Sequence, residues 1–102
     1  MAYTIELTRT ALRKLRSMPR NVRAQLEPII SSLAHDPRPP GATSLKELDK
    51  CYRLRSGDYR IIYAVYDDRL VVLVLSVAGR GVAYTTKEIA AIRKELRRRL
   101  ST

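Results

Sequence analysis

Two runs of alternating side chains, residues 50–55 and 59–66, flank Ser56-Gly57-Asp58, and a third run, 70–77, follows Asp67-Asp68-Arg69. Period-two alternation bounded by Gly and Asp is the pattern of strands joined by tight turns. Gly57-Asp58 suits a two-residue loop, because Gly accepts the positive φ that a type II′ turn needs at its first position. That loop length sets the register: Ser56 faces Tyr59, Arg55 faces Arg60, and Arg53 faces Ile62. Residues paired across strands share a face, so Arg53, Arg55 and Arg60 are expected together on one side. Tyr52, Leu54, Ile61, Tyr63 and Val65 then point into the core. A three-residue loop shifts the pairing by one and scatters the arginines.

Like charges opposite one another destabilise a sheet, so such a cluster points to an anionic partner. The bland alternative is a solvated sheet face, which the shared-face argument disfavours. Lys and Arg number 20 against 10 Asp and Glu, a formal net charge of +10. Arginine's planar fork matches phosphate geometry, so nucleic acid or an acidic protein is the expected partner. One cysteine rules out an internal disulfide, and with one histidine there is no zinc site by ligand count. Cys51, at the start of a strand, reads as a small core residue.

Residues 2–7 alternate Tyr3, Ile5 and Leu7 against Thr4 and Glu6, a short half-buried strand. Thr8 offers a side-chain oxygen to cap a helix carrying Ala11, Leu12 and Leu15 on one stripe. Met18-Pro19 breaks that helix, and Pro19 suits the first turn of the next. The second helix places Val22, Leu26, Ile29, Ile30 and Leu33 at helical spacing. Pro28 falls opposite that stripe, where a kink toward solvent is expected rather than a break. Residues 36–41, Asp-Pro-Arg-Pro-Pro-Gly, form a rigid connector, and Leu45 and Leu48 tuck it under the sheet. His35 reads as a surface imidazole at a helix end. The apolar run 70–75 implies a central strand covered on both faces.

Thr85 and Glu88 make a capping box. Ile89, Ile92, Leu96 and Leu100 then line one side of a final helix whose other side holds Lys94, Arg97, Arg98 and Arg99. One domain over residues 1–102 is expected, of α+β class: a small antiparallel sheet with a helical hairpin packed on one face and a C-terminal helix, in the order β-α-α-β-β-β-α. The start lacks a basic region followed by an apolar segment, and run 70–75 is too short to span a bilayer. A cytoplasmic protein is expected.

The stretch Tyr52-Arg-Leu-Arg-Ser-Gly-Asp-Tyr-Arg-Ile-Ile-Tyr63, an acidic turn, a Val/Leu strand, and Ser76-Val-Ala-Gly-Arg80 with Tyr84 beyond resembles the RelE family. These are toxins of type II toxin–antitoxin modules within the wider RelE/ParE group, and the likeness covers nearly the whole chain. It implies a compact RelE-like fold and an endoribonuclease that enters the ribosomal decoding site and cuts the A-site mRNA without a metal or other cofactor. It implies a RelB-like antitoxin as partner. It places the family's functional residues on Arg53, Arg55, Arg60, Arg80 and Tyr84. Two departures stand out. Relatives commonly carry lysines where this chain has Arg53 and Arg55, and often a histidine where it has Gly79.

Metal-free RNA cleavage needs the 2′-oxygen activated, the phosphorane charge stabilised and the 5′-oxygen protonated. The arginines answer the second need. Arginine, with a pKa above about 12, is no ready base, so Tyr84 is expected to act as base or as orienter of the 2′-hydroxyl. Arg80 is expected nearest the leaving oxygen. Without the resemblance, Tyr84 reads as an ordinary half-buried tyrosine. Tyr59, Tyr63 and Tyr66 are assigned to core or edge packing, with base stacking as the alternative. The basic stretch 93–99 either contacts ribosomal RNA or solvates the last helix. The competing reading is a ParE-like, non-enzymatic inhibitor of DNA gyrase.

Overall fold

The computed structural model describes residues 2–79 and 86–100, the last of these by its backbone alone. The elements run β1 (Thr4–Leu7), α1 (Arg9–Ser17), α2 (Arg20–Ser32), β2 (Thr43–Ser44), β3 (Cys51–Ser56), β4 (Tyr59–Tyr66), β5 (Val71–Ala78) and α3 (Thr86–Leu100). The five strands form one sheet in the order β1-β5-β4-β3-β2. The expected meander β3-β4-β5 is antiparallel throughout. Two features go beyond the sequence reading. Strand β1 joins the sheet parallel to β5, and α1–α2 carries the chain from that edge to the opposite one, where the two-residue β2 pairs antiparallel with β3.

Local chemistry explains the helix ends. Thr8, 2% exposed, accepts a hydrogen bond on Oγ1 from the Ala11 N–H at 3.1 Å and caps α1. Its hydroxyl also donates to the Leu75 carbonyl at 3.4 Å, tying the helix start to the sheet. Met18 is extended, as a residue before proline must be to avoid the Pro Cδ. Pro19 sits one residue earlier than expected, at the cap position of α2 rather than in its first turn, with its carbonyl accepting from Val22 and Arg23. Helix α2 runs through Pro28, which is exposed.

The sheet is covered on both faces. Ala11, Leu15, Val22, Leu26, Ile30 and Leu33 pack from the helical hairpin against Leu54, Ile61, Tyr63, Val65, Val72, Val74 and Val77. On the opposite face Ile92, with Ile89 and Leu96, packs on Leu48, Cys51, Ile62, Ala64, Tyr66, Leu73 and Leu75. Strand β5 feeds both clusters, as its unbroken apolar run requires. Leu45 and Leu48 pack beneath the sheet on the α3 side. The strand runs are trimmed at two turns. Lys50 (φ 63°) and Leu70 (φ 55°) take left-handed backbone before β3 and β5, so neither belongs to the ladder expected for it. The capping box expected at the start of α3 falls on Thr85, outside the described residues.

Candidate nucleic-acid interface

The β3–β4 register is the one a two-residue loop dictates: Ser56 opposite Tyr59, Arg55 opposite Arg60, Arg53 opposite Ile62. Gly57 has φ +58° and Asp58 is not among the positive-φ residues, as a type II′ turn requires. Cys51 and Ile62 belong to the α3-side cluster, so alternation puts Arg53, Arg55 and Arg60 on that same face. Arg55 is exposed, while Arg53 and Arg60 are half-buried. Among the described residues neither Arg53 nor Arg55 forms an ion pair. Arg53 borders a groove with Leu45, Glu47, Thr86, Ile89, Ala90 and Arg93, so the first turns of α3 stand beside the arginine face.

The far side of Arg60 is set by an irregularity in β5. Ile62 pairs with Ser76 but Tyr63 with Val74, leaving Leu75 as an extra residue. Such a bulge shifts the facing by one position. Val77 thereby turns into the α1–α2 core, and the small Ala78 stands opposite Arg60. An unbulged strand would place Val77 beside Arg60 and aim Ser76 into the apolar core. The Thr8 hydroxyl bonds at the bulge itself. Gly79 follows, and a Cβ there would meet the Tyr59 ring at an ordinary 3.5 Å, so this backbone accepts a side chain. Arg80 and Tyr84 lie outside the described residues.

The tyrosines divide as packing predicts. Tyr63 is fully buried and donates to the Pro37 carbonyl at 2.8 Å, and burial pushes its phenol up to about 12. Tyr66 is 8% exposed, with burial again raising its phenol. Tyr59 packs against the helical-hairpin cluster. Cys51 is fully buried and its thiol is pushed up to about 12, chiefly by burial, so it stays protonated and unreactive. In α3, Arg93 donates to the Glu47 carbonyl at 2.7 Å, Arg98 pairs with Glu95, and Arg99 pairs with Glu95 and Glu6. That half of the helix is engaged in part within the molecule. No helix among the described residues is long and apolar enough to cross a membrane.

A family model described as the ParE toxin of type II toxin–antitoxin systems (parDE) matches residues 5–84. The mRNA interferase toxin RelE of Escherichia coli is 37% identical over 82 residues, covering 78% of this chain and 85% of that protein. This chain belongs to the RelE family of type II toxins. An arginine double mutant of the Escherichia coli toxin RelE in the free state superposes with a TM-score of 0.72 at 32% identity, over 94% of this chain and 99% of that one. The toxin of the RelBE toxin–antitoxin complex from Mycobacterium tuberculosis superposes at 0.71 with 28% identity, over 80% of this chain and 95% of that one. The α+β architecture with its antiparallel meander is thus that of RelE toxins.

Sequence reasoning missed three contributors to the arginine surface of this RelE-family chain. The bulge at Leu75 carried a faint signal, since strict alternation would have driven Ser76 into an apolar face. The Thr8 tie to the bulge was legible only as a helix cap. The third, Gln25 on α2, has Nε2 3.1 Å from the Ser56 carbonyl and 3.0 Å from the Ser56 hydroxyl. Nothing in an isolated sequence joins residues so far apart.

Proposed function

We propose that this RelE-family toxin is a ribosome-dependent messenger endonuclease. The observation that carries the reading is Arg55 opposite Arg60, with Arg53 on the same face. Three guanidiniums held by a ladder make a preorganised donor array for phosphate oxygens, and preorganisation is what makes such donors effective when charge develops. In the reaction, the ribose 2′-oxygen attacks the adjacent phosphorus as its proton passes to Tyr84, and the bond to the 5′-oxygen breaks. Arg53, Arg55 and Arg60 stabilise the phosphorane. Arg80 is assigned to the leaving oxygen as the candidate donor of its proton. The products are a 2′,3′-cyclic phosphate and a 5′-hydroxyl. To take that proton Tyr84 must be the phenolate, the form that nearby positive charge favours in general. Two supports come from adjacent segments: Ala78 opposite Arg60 leads through Gly79 to Arg80, and Thr86, two residues after Tyr84, lines the groove with Arg53.

The relative's description as an mRNA interferase supports the same reading. Related toxins occur in complexes with antitoxins, and a RelB-like antitoxin with an acidic segment is the partner proposed here. The ParE description of the matching family model supports a second reading, a non-enzymatic inhibitor of DNA gyrase. Mapping messenger ends after brief expression separates them. Codon-phased cuts support the nuclease, and DNA damage without cuts supports the gyrase inhibitor. On programmed ribosomes, Tyr84→Phe should slow single-turnover cleavage far more than it weakens binding. An unchanged rate removes Tyr84 from the mechanism.

A further inference from the structure

We propose that Gln25 is a positioning residue for the Arg55–Arg60 pair, an inference that rests on the nuclease reading. The pair sits one step from the tip of a hairpin closed by a two-residue loop. The last rungs of a hairpin have ladder neighbours on one side only and open most readily. A brace from outside the hairpin is therefore needed most at Ser56 and Tyr59.

Gln25 supplies one from the other face of the sheet. Its neighbour Leu26 is fully buried in the α1–α2 core, which anchors α2, while Gln25 itself lies at the exposed edge of the helix. From there the amide nitrogen donates to the Ser56 carbonyl and to the Ser56 hydroxyl. A Cβ built on Gly57 would come within 3.3 Å of the same nitrogen, so the amide lies against the turn as well as the strand end. Ser56 is bonded in sequence to Arg55, and its partner Tyr59 to Arg60. Fixing Ser56 to a packed helix thus fixes both Cα atoms from which the guanidiniums extend. Gln25 belongs to the helical-hairpin side and the arginines to the α3 side, so the effect passes through the backbone. Reaction rates are steeply sensitive to such placement, with a displacement of about 1 Å costing up to roughly 100-fold.

The test uses Gln25→Met, which keeps the side chain's length and removes the donor. Two measurements are made in the wild-type and Arg55→Ala backgrounds. On programmed ribosomes at saturating toxin, Gln25→Met should slow single-turnover cleavage by about fivefold to tenfold, with ribosome binding within about twofold. In the Arg55→Ala background the added slowing should fall below about twofold, because the pair it positions is gone. Equal slowing in both backgrounds assigns Gln25 to general stability and overturns the proposal, as does no slowing at all. Amide hydrogen exchange at Tyr59 and Arg60 is read in parallel and should accelerate in Gln25→Met. Unchanged exchange overturns the brace whatever the activity. If the wild-type protein cuts nothing while exchange does accelerate, the nuclease reading has failed and the brace stands.

Discussion

Arginine is used in opposite ways at the two ends of the β3–β4 pair. At the end away from the hairpin, Arg38 of the 36–41 connector makes a two-pronged contact with Asp67, at 3.2 and 2.7 Å. Its Nε donates to the Tyr52 hydroxyl at 2.8 Å, and its guanidinium lies 5.2 Å from the Tyr52 ring centroid. Tyr3 donates to the same carboxylate at 2.6 Å, so one acid joins the start of the chain, the connector, β3 and the turn after β4. At the hairpin end Arg55 faces Arg60, and Arg53 and Arg55 have no ion-pair partner among the described residues. A neutralised arginine is structural cement. Arg53 and Arg55, kept on one face without such a partner, are available to meet a phosphate. The first arrangement should therefore matter for stability and the second for activity.

The sharpest break of that comparison is Arg55→Ala against Arg38→Ala. Loss of one preorganised charge donor should cut single-turnover cleavage by roughly 100- to 1,000-fold, while the melting temperature holds or rises as like-charge repulsion is relieved. Arg38→Ala should lower the melting temperature by a few degrees, the scale of a partly exposed pair, with cleavage within about twofold. Equal activity loss in both variants would dissolve the distinction.

Next in size is the turn that holds the arginine register. Gly57→Ala forces an L-residue into the left-handed region and should cost about 1–2 kcal/mol in urea unfolding. Gly79→Ala, next to the same site with ordinary space for a Cβ, should change stability by less than about 0.5 kcal/mol. A Cβ at Gly79 is thus compatible with the backbone.

The smallest effect separates the ends by pH. The hydrogen bonds from Arg38, then Tyr3, hold the Asp67 carboxyl down to about 2, against an unfolded value of about 3.9. Its contribution to stability is fully present above the unfolded value and is lost as pH falls toward about 2. Melting temperature should therefore fall more steeply below about pH 4 in the wild type than in Asp67→Asn. Parallel curves would show that the clamp contributes nothing.

Much of this was legible in the residues. A glycine and an aspartate between two alternating runs leave few loop lengths, and each length gives one register, so the shared arginine face followed from local chemistry. The helical stripes and Thr8 were equally local. Asp67 looked like part of a polar turn, and Tyr3 and Tyr52 like ordinary strand residues, because their meeting at Arg38 depends on where the connector crosses the sheet. The short β2 was hidden for the same reason, two polar residues becoming a strand only beside β3.

By itself, then, the sequence determined every element except β2 and, up to the bulge in β5, the phase of each, because alternation, turn geometry and capping act over a few residues. Beyond the β3-β4-β5 meander, which strand lies beside which was decided only in three dimensions. The parallel docking of β1 on β5, the bulge that puts Ala78 rather than Val77 next to Arg60, and the reach of Gln25 to Ser56 all arise from packing between distant segments. Such contacts exist only once both faces of the sheet have been buried and the chain has closed on itself.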